Sequence, residues 1–221
     1  MKFNLINIED WNRKEHYNHY LNNVRCTFSV TSNIDITKSL KYIKSNNLKF
    51  YPSIIYAIAK VVNNYSEFRT SYDINGRLGF WDEINPSFTI FNKETETFSD
   101  IWVKYDDSFN KFYENYNKEV DLYKDSKKLT PQLNTPQNVF PISSLPWVSF
   151  TGFNLNIFAD SRFLLPIFTI GKYFEQNEKI MLPLSIQVHH AVCDGFHVSR
   201  FIGSLQDTMI NYNLWLTKKE Y

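Results

Sequence analysis

Apolar residues recur along this chain at two spacings, which together predict helices and strands in mixed order. Apolar positions three or four residues apart indicate amphipathic helices, whereas alternating or short continuous apolar runs indicate strands. Helices are predicted over residues 10–23, 35–46, 51–65, 107–126 and from about 196 onward. Strands are predicted over residues 25–31, 147–158, 164–175 and 179–189, with a strand, a turn and a second strand over 87–105.

Capping and turn residues mark where several of these elements begin or reverse. Asp10 and Asp35 precede helical patterns and are predicted as helix caps. The dipeptide Asn75-Gly76 indicates a hairpin, and the prolines within 127–141 indicate a loop.

The mixture of elements predicts an α/β protein. We expect a two-layer α+β sandwich, in which helices cover a mixed, largely antiparallel sheet, as a single domain over residues 1–221. Aromatic residues make up 17% of the chain, more than a core of this size needs. This content suits an apolar pocket or a large subunit interface.

Charge and cysteine content argue against several classes of protein. The net charge is +1 and no basic stripe occurs, so nucleic-acid binding is not expected. Cys26 and Cys193 form no disulfide framework, which suits a reducing cytoplasm. The N-terminus lacks the apolar run of a signal peptide, and runs such as 163–168 are too short to span a membrane. We therefore expect a cytoplasmic protein without a membrane or nucleic-acid partner.

Residues 189–197, HHAVCDGFH, allow several chemical interpretations. A metal site is disfavoured because successive strand side chains point to opposite faces, which separates His189 from His190. A nucleophilic Cys193 is disfavoured because no helix N-terminus clearly activates it. Two interpretations stay open: His190 acts as an acid–base group that Asp194 orients, or the stretch is a polar turn.

Seven segments, spread over nearly the full chain, resemble the landmarks of one enzyme family. They are WNRKEHY (11–17), FYPSIIYAIA (50–59), ETETFS (94–99), SLPWVSF (144–150), FNLNI (153–157), PIFTIGKY (166–173) and QVHHAVCDGFH (187–197). The last segment resembles the signature H-H-x-x-x-D-G of the chloramphenicol acetyltransferases. The acyltransferase cores of 2-oxoacid dehydrogenase complexes and peptide-synthetase condensation domains carry similar signatures, but the order and spacing of the whole set are specific.

This resemblance implies a fold, a reaction and an assembly. The fold is that of the CoA-dependent acyltransferases. The reaction is direct transfer of the acetyl group of acetyl-CoA to the 3-hydroxyl of chloramphenicol, with no acyl-enzyme and no metal. The assembly is a homotrimer whose active sites lie in the clefts between subunits.

The resemblance also implies roles for individual residues. His190 matches the catalytic base, whose Nδ1 would donate to a backbone carbonyl so that Nε2 is free. Ser143 matches the serine that stabilises the oxyanion, although its neighbour Ser144 cannot be distinguished by sequence alone. Thr169 matches a threonine that holds a water near the same intermediate.

Further positions match supporting and binding residues of the family. Asp194 matches an aspartate that pairs with an arginine, here Arg13, while His189, Cys193 and His197 receive no catalytic role. The positions that match the chloramphenicol pocket are Tyr20, Cys26, Phe28, Phe98, Leu155 and Ile157. The positions that match CoA contacts are Lys49, Tyr56, Lys172 and Tyr173. The resemblance places most of the pocket on the subunit that faces the one supplying the histidine.

Two rival functions follow from the same features. The first is an acyltransferase core of a 2-oxoacid dehydrogenase complex, whose acceptor would be a lipoyl thiol. Such cores usually follow lipoyl and linker segments, which this sequence lacks. The second rival is an antibiotic-binding protein without activity, which would need neither His190 nor Ser143.

Overall fold

The computed structural model describes residues 2–155 and 162–216, which form five α-helices and ten strands. The helices are α1 (Lys14–Asn18), α2 (Thr37–Ser45), α3 (Phe50–Asn63), α4 (Phe109–Tyr123) and α5 (Gly195–Ile210). The strands are β1 (Phe3–Leu5), β2 (Thr27–Asp35), β3 (Thr70–Tyr72), β4 (Leu78–Trp81), β5 (Asn85–Asn92), β6 (Thr97–Trp102), β7 (Val139–Leu145), β8 (Ile167–Gly171), β9 (Phe174–Gln176) and β10 (Lys179–His189). Within these stretches, no helix has both the length and the apolar character needed to cross a membrane.

Most of the strands join one large mixed sheet. Its strand order is β2-β10-β8-β7-β5-β6, and β9 pairs with the beginning of β10. Strand β7 runs parallel to β5 and to β8, whereas the other neighbours run antiparallel. Strands β1, β4 and β3 form a separate small antiparallel sheet. This arrangement of helices and a mixed, largely antiparallel sheet confirms the predicted fold class.

One face of the large sheet is apolar and meets the helices. A row across four adjacent strands consists of Phe88, Ile142, Phe168 and Ile186, all buried. The ring of Phe168 lies 5.1 Å from that of Phe201 in α5. Helix α3 is buried along most of its length, as its nearly continuous apolar sequence predicts.

The next row of side chains points to the opposite face and carries hydroxyl groups. Ser143 of β7 lies opposite Thr169 of β8, which lies opposite Ser185 of β10, which lies opposite Thr31 of β2. We call these four residues the hydroxyl row. The segment that follows β7 lies over this face, since the Ser185 hydroxyl donates to the carbonyl of Phe153 at 2.7 Å.

The strand predicted over 147–158 is wrong for its described part, which is irregular. The strand in this region is β7, and it contains Pro141, whose missing N–H is more typical of a loop. The segment after β7 makes a bond outside the ladder: the Leu155 N–H donates to the Gln187 side-chain oxygen at 3.0 Å. Residues 156–158 lie outside the described residues.

The two predicted helix caps have different outcomes. The prediction for Asp35 is confirmed in part: the N-cap of α2 is Ile36, but the Asp35 carboxylate one residue earlier accepts the Thr37 N–H at 3.0 Å in the first turn. The prediction for Asp10 is wrong. Helix α1 begins only at Lys14, and Asp10 ends a short 3₁₀ turn, where its carboxylate accepts from the Asn7 side chain at 2.5 Å. Asp10 is therefore too far from the first turn of α1 to cap it.

The Asn75-Gly76 dipeptide forms the predicted hairpin, which joins β3 to β4. Gly76 has a φ of +74°, a conformation that glycine adopts without the steric cost of a Cβ. Asp73 closes the turn, because its Oδ1 accepts the N–H groups of Asn75 and Arg77 at 3.0 and 2.8 Å.

Gly79 of β4 packs so closely against β1 that no side chain fits. A Cβ there would overlap the backbone carbonyl of Asn4 and the ring of Phe3. We expect Gly79→Ala to cost about 1–3 kcal/mol, because β1 must shift, and to lower Tm by several degrees.

Gly203→Ala is the matched control. Gly203 is exposed in α5, with no described atom within 4 Å of where its Cβ would lie, so alanine should raise Tm slightly. Thermal unfolding of both variants measures the two effects. An unchanged Tm for Gly79→Ala would contradict the close packing of β1 on β4.

Candidate active site

His190 follows directly after β10, and its backbone is bonded on both sides. Its N–H donates to the carbonyl of Cys26 at 3.0 Å, which continues the pairing of β10 with the start of β2. Its carbonyl accepts from Nη2 of Arg13 at 3.3 Å. The main chain that carries the imidazole is therefore held from two separate parts of the fold.

Aromatic rings orient the His190 side chain. The imidazole stacks on Tyr20 with ring centroids 3.7 Å apart and an interplanar angle of 4°, and Phe28 lies 5.1 Å away. Within the described part of the chain, the buried Nδ1 of His190 has no hydrogen-bond partner. The predicted bond from Nδ1 to a backbone carbonyl is therefore not present. The parallel stack on Tyr20 orients the imidazole ring instead.

Asp194 ties the end of this turn to Arg13. Nη1 of Arg13 donates to Oδ2 of Asp194 at 2.9 Å, which is the predicted pairing. Burial raises the pKa of the Asp194 carboxyl, but the Arg13 hydrogen bond, the charge that His197 carries in acid and the charge of Arg13 outweigh it and hold the pKa below its ordinary value. The carboxylate is thus ionised at neutral pH. Arg13 contacts both ends of the 190–194 turn.

Two other residues of the motif point into the protein. His189 is 1% exposed, and its Nδ1 accepts the N–H of Ala191 at 3.1 Å. Cys193 is also buried, its Sγ lies 3.7 Å from the carbonyl of Glu67, and burial raises the pKa of the thiol. A protonated, buried thiol is a poor nucleophile, which disfavours covalent catalysis by Cys193.

A cavity of about 680 Å³ lies on the side of the sheet that carries the hydroxyl row. It is bounded by the start of α3, by β5 to β8 and by the segment after β7. Its size and its aromatic wall are typical of a small-molecule site. The aromatic residues of the wall are Phe50, Tyr51, Phe91, Phe98, Trp147, Phe153 and Tyr173.

Two hydroxyl groups provide the polar chemistry of this cavity. The Ser143 Oγ and the Thr169 Oγ1 lie 3.1 Å apart, on adjacent parallel strands in register. Ser144 also borders the cavity, but it pairs with Ile170, whose side chain is buried on the face that meets the helices. The geometry therefore favours Ser143 over Ser144 as the serine that can act with Thr169.

The predicted site residues fall into two groups and some outliers. The residues that line the cavity are Phe98, Ser143, Thr169, Lys172 and Tyr173. The residues that contact His190 are Tyr20, Cys26, Phe28 and Arg13. Leu155 is 46% exposed and belongs to neither group, and Ile157 lies outside the described residues.

Two of the predicted CoA contacts do not line the cavity, although Lys49 directly precedes Phe50 of the cavity wall and its contact with CoA stays a prediction. Tyr56 is fully buried, and its hydroxyl donates to the carbonyl of Asp107 at 2.5 Å, so it is a core residue with no surface for a cofactor. Lys49 is exposed, and its Nζ donates to the Asn117 side chain at 2.7 Å. Tyr51, which sequence reasoning missed, lines the cavity from the first turn of α3. The repeated aromatic residues of FYPSIIY were the available signal, but they do not reveal which ring faces a cavity.

Within one chain, the predicted residues that line the cavity lie far from His190 and the residues that contact it. Thr169 is the strand neighbour of both Ser143 and Ser185, and His190 lies five residues beyond Ser185. With strands about 4.8 Å apart and about 3.3 Å per residue, Ser143 and His190 are roughly 19 Å apart along the sheet. Accordingly, His190 is not one of the described residues that line the cavity.

Comparison with known proteins places the chain in a family. The family model for chloramphenicol acetyltransferase matches residues 1–206. Chloramphenicol acetyltransferases of Clostridium perfringens and Staphylococcus aureus are 56% and 46% identical, over 99% and 98% of this chain and 100% of each relative.

Solved structures show the same fold. A chloramphenicol acetyltransferase, 24% identical, superposes with a TM-score of 0.84 over 94% of this chain and 100% of that chain. Dihydrolipoamide acetyltransferase of Azotobacter vinelandii, 21% identical, has a TM-score of 0.70 over 86% of this chain and 84% of that one. On the family match and the identity over nearly its full length, this chain is an acyltransferase that belongs to the chloramphenicol acetyltransferase family.

Proposed function

We propose that this chain transfers the acetyl group of acetyl-CoA to the 3-hydroxyl of chloramphenicol and thereby inactivates the antibiotic. The observation that carries this proposal is the 56% identity to a chloramphenicol acetyltransferase over 219 residues. A cavity with an aromatic wall and two adjacent hydroxyl groups supports it, since the antibiotic carries an aryl ring and an acyl transfer develops negative charge on oxygen.

The proposed active site is shared between two copies of the chain in a homotrimer. A base and an oxyanion donor must act on one thioester carbonyl, with reacting atoms about 3–3.5 Å apart. Ser143 and His190 of one chain lie roughly 19 Å apart, which is too far for this task. A cleft between subunits brings His190 of one subunit to the cavity of the next.

His190 acts as the general base in this proposal. Its Nε2 takes the proton of the 3-hydroxyl while that oxygen forms a bond to the thioester carbonyl carbon. The stack on Tyr20 fixes the plane of the imidazole, and the Arg13 and Cys26 contacts fix its backbone. When the tetrahedral intermediate collapses, the C–S bond breaks and His190 returns the proton to the CoA sulfur. The products are the acetyl ester and free CoA.

Ser143 donates its hydroxyl hydrogen to the oxyanion of the tetrahedral intermediate. Its Oγ lies 3.1 Å from the Thr169 Oγ1, and with Thr169 as the donor of this bond the single O–H of Ser143 stays available for the oxyanion. Lys172 and Tyr173 continue the cavity wall beyond this pair. We assign acetyl-CoA to this end, because a lysine and aromatic rings suit a phosphate-bearing, partly apolar cofactor.

The experiment that tests this function follows free CoA. Purified protein is mixed with acetyl-CoA, with and without chloramphenicol, and the released thiol and the acetyl ester are measured. We expect thiol release that depends on chloramphenicol, with one ester formed per thiol. Dihydrolipoamide serves as the alternative acceptor, with free CoA measured by chromatography because transfer to a thiol leaves the total thiol unchanged. CoA release with dihydrolipoamide and none with chloramphenicol would contradict the proposal.

A chloramphenicol analogue in which fluorine replaces the 3-hydroxyl is the matched substrate control. It keeps the aryl ring and the chain but offers no nucleophile at this position, so it should bind and release no CoA. Bound chloramphenicol without any thiol release would instead indicate an antibiotic-binding protein.

A further inference from the structure

His197, like His189 and Cys193, has no part in the proposed chemistry, but its contacts are with Asp194. Asp194 is the N-cap of α5, and its Oδ1 accepts the N–H of Phe196 at 3.0 Å. The N–H of Asp194 in turn donates to Nδ1 of His197 at 3.1 Å. The Asp194 side chain also accepts the backbone N–H of His197, which completes a capping box in which histidine occupies the third helical position that glutamate or glutamine commonly takes.

This capping box requires a neutral histidine. When Nδ1 of His197 accepts this hydrogen bond it carries no proton, and the bond thus assigns the proton of the neutral ring to Nε2. Nδ1 of His197 also lies 2.8 Å from Oδ1 of Asp194, a contact that is repulsive while Nδ1 has no proton and becomes a hydrogen bond when Nδ1 has one. A protonated ring would donate from Nδ1 to this carboxylate and would leave the Asp194 N–H without its acceptor. The two protonation states thus make mutually exclusive contacts with Asp194.

The same carboxylate holds the turn that carries His190. Oδ2 of Asp194 accepts from Arg13 at 2.9 Å, and Arg13 also donates to the carbonyl of His190. We propose that His197 is a positioning residue for the acetyl transfer, which keeps the 190–194 turn in place only while its own ring is neutral. This inference rests on the proposed function of His190. It adds that the protonation of His197, besides that of His190, controls the rate of acetyl transfer.

The charges around His197 support the neutral state at physiological pH. Burial lowers the pKa of His197; the Asp194 carboxylate opposes this, Arg13 adds to it, and the pKa lies below its ordinary value of 6.5. Arg200, one turn further along α5, is paired with Glu67 and so is engaged elsewhere. Because the folded pKa is depressed, the neutral ring stabilises the fold above the unfolded value, and this contribution is lost as pH falls through the folded value.

Two substitutions separate positioning from simple packing. His197→Gln keeps an acceptor at the third helical position but cannot titrate, whereas His197→Leu has no acceptor. Near pH 8 we expect His197→Leu to lower kcat about tenfold with KM changed less than about twofold, and His197→Gln to restore kcat to within about threefold of wild type. Wild-type kcat in His197→Leu would overturn the proposal.

The pH profile is the deciding measurement. A general base must be neutral to accept a proton, so a single base gives an acid limb in which kcat falls about tenfold per pH unit. If His197 must also be neutral, wild-type kcat falls about 100-fold per pH unit below both transitions, and His197→Gln returns the limb to tenfold. Identical tenfold limbs in wild type and His197→Gln would overturn the proposal.

A readout that does not depend on acetyl transfer keeps this test distinct from that of the proposed function. Nitrogen NMR of the free protein near pH 8 should show Nδ1 of His197 without a proton, and a protonated Nδ1 would overturn the inference. Wild-type Tm should also fall more than that of His197→Gln as the solution is acidified. A wild type that meets both expectations but transfers no acetyl group would contradict the proposed function and not the capping state of His197.

Discussion

His190→Ala is expected to lower kcat for chloramphenicol acetylation by about 10²–10⁴-fold, the range typical for loss of a positioned general base. The imidazole has no substitute in its immediate surroundings, because its described ring neighbours are Tyr20 and Phe28. The loss should appear in kcat with little change in KM, since the base acts in the transition state. Steady-state thiol release measures both constants.

His16→Ala is the control for this variant. His16 is exposed in α1, so its loss removes a histidine without touching the 190–194 turn. We expect activity and Tm close to wild type for His16→Ala, and an unchanged Tm for His190→Ala. Full activity in a folded His190→Ala protein would exclude His190 as the base.

Mixing two inactive variants is expected to restore activity if the site is shared between subunits. Ser143→Ala should cost about 3–4 kcal/mol of transition-state stabilisation, because it removes one oxyanion donor. In mixed trimers assembled at random from equal amounts of Ser143→Ala and His190→Ala chains, about a quarter of the interfaces combine an intact serine with an intact histidine. The mixture should therefore regain about a quarter of wild-type activity after joint refolding, a rise of about 25-fold or more over either variant alone.

Co-refolding of each variant with itself provides the baseline for this measurement. A doubly substituted chain, with both alanines, should rescue neither single variant beyond that baseline, because each mixed site would still lack one group. No recovery in the Ser143→Ala and His190→Ala mixture would place both groups in one chain, against the roughly 19 Å separation along the sheet.

Elements with a strong hydrophobic pattern could be predicted from the sequence. Strand β10 was predicted over 179–189, the range it has, because a continuous apolar run ends in the motif and begins after a short polar turn. That turn is formed by Asn177 and Glu178, both at positive φ. Strand β7 was missed because Pro141 is rare inside a ladder, and the parallel partners of β7 are distant in sequence.

The shape of the candidate site was less predictable than its chemistry. Helix α3 is apolar on nearly every side, so its periodicity does not reveal that Tyr51 faces the cavity and Tyr56 faces the core. The separation of Ser143 from His190 depends on strand order, which pairing across the sheet decides and a linear pattern does not record. The neutral histidine that caps α5 was missed for a related reason, since a capping box is normally recognised by its glutamate or glutamine.

The ion pair between Arg13 and Asp194 also has a consequence for the order of folding events. It joins positions 181 residues apart, so nearly the whole chain must be made before it can form. Contacts of such long range carry a large loop-closure cost and tend to form late. The core can thus assemble before His190, the proposed base, is held in its final position. On heating, loosening of the half-buried Arg13 segment can release the base before the core unfolds. We therefore expect activity to be lost at a lower temperature than the fold and to return on cooling.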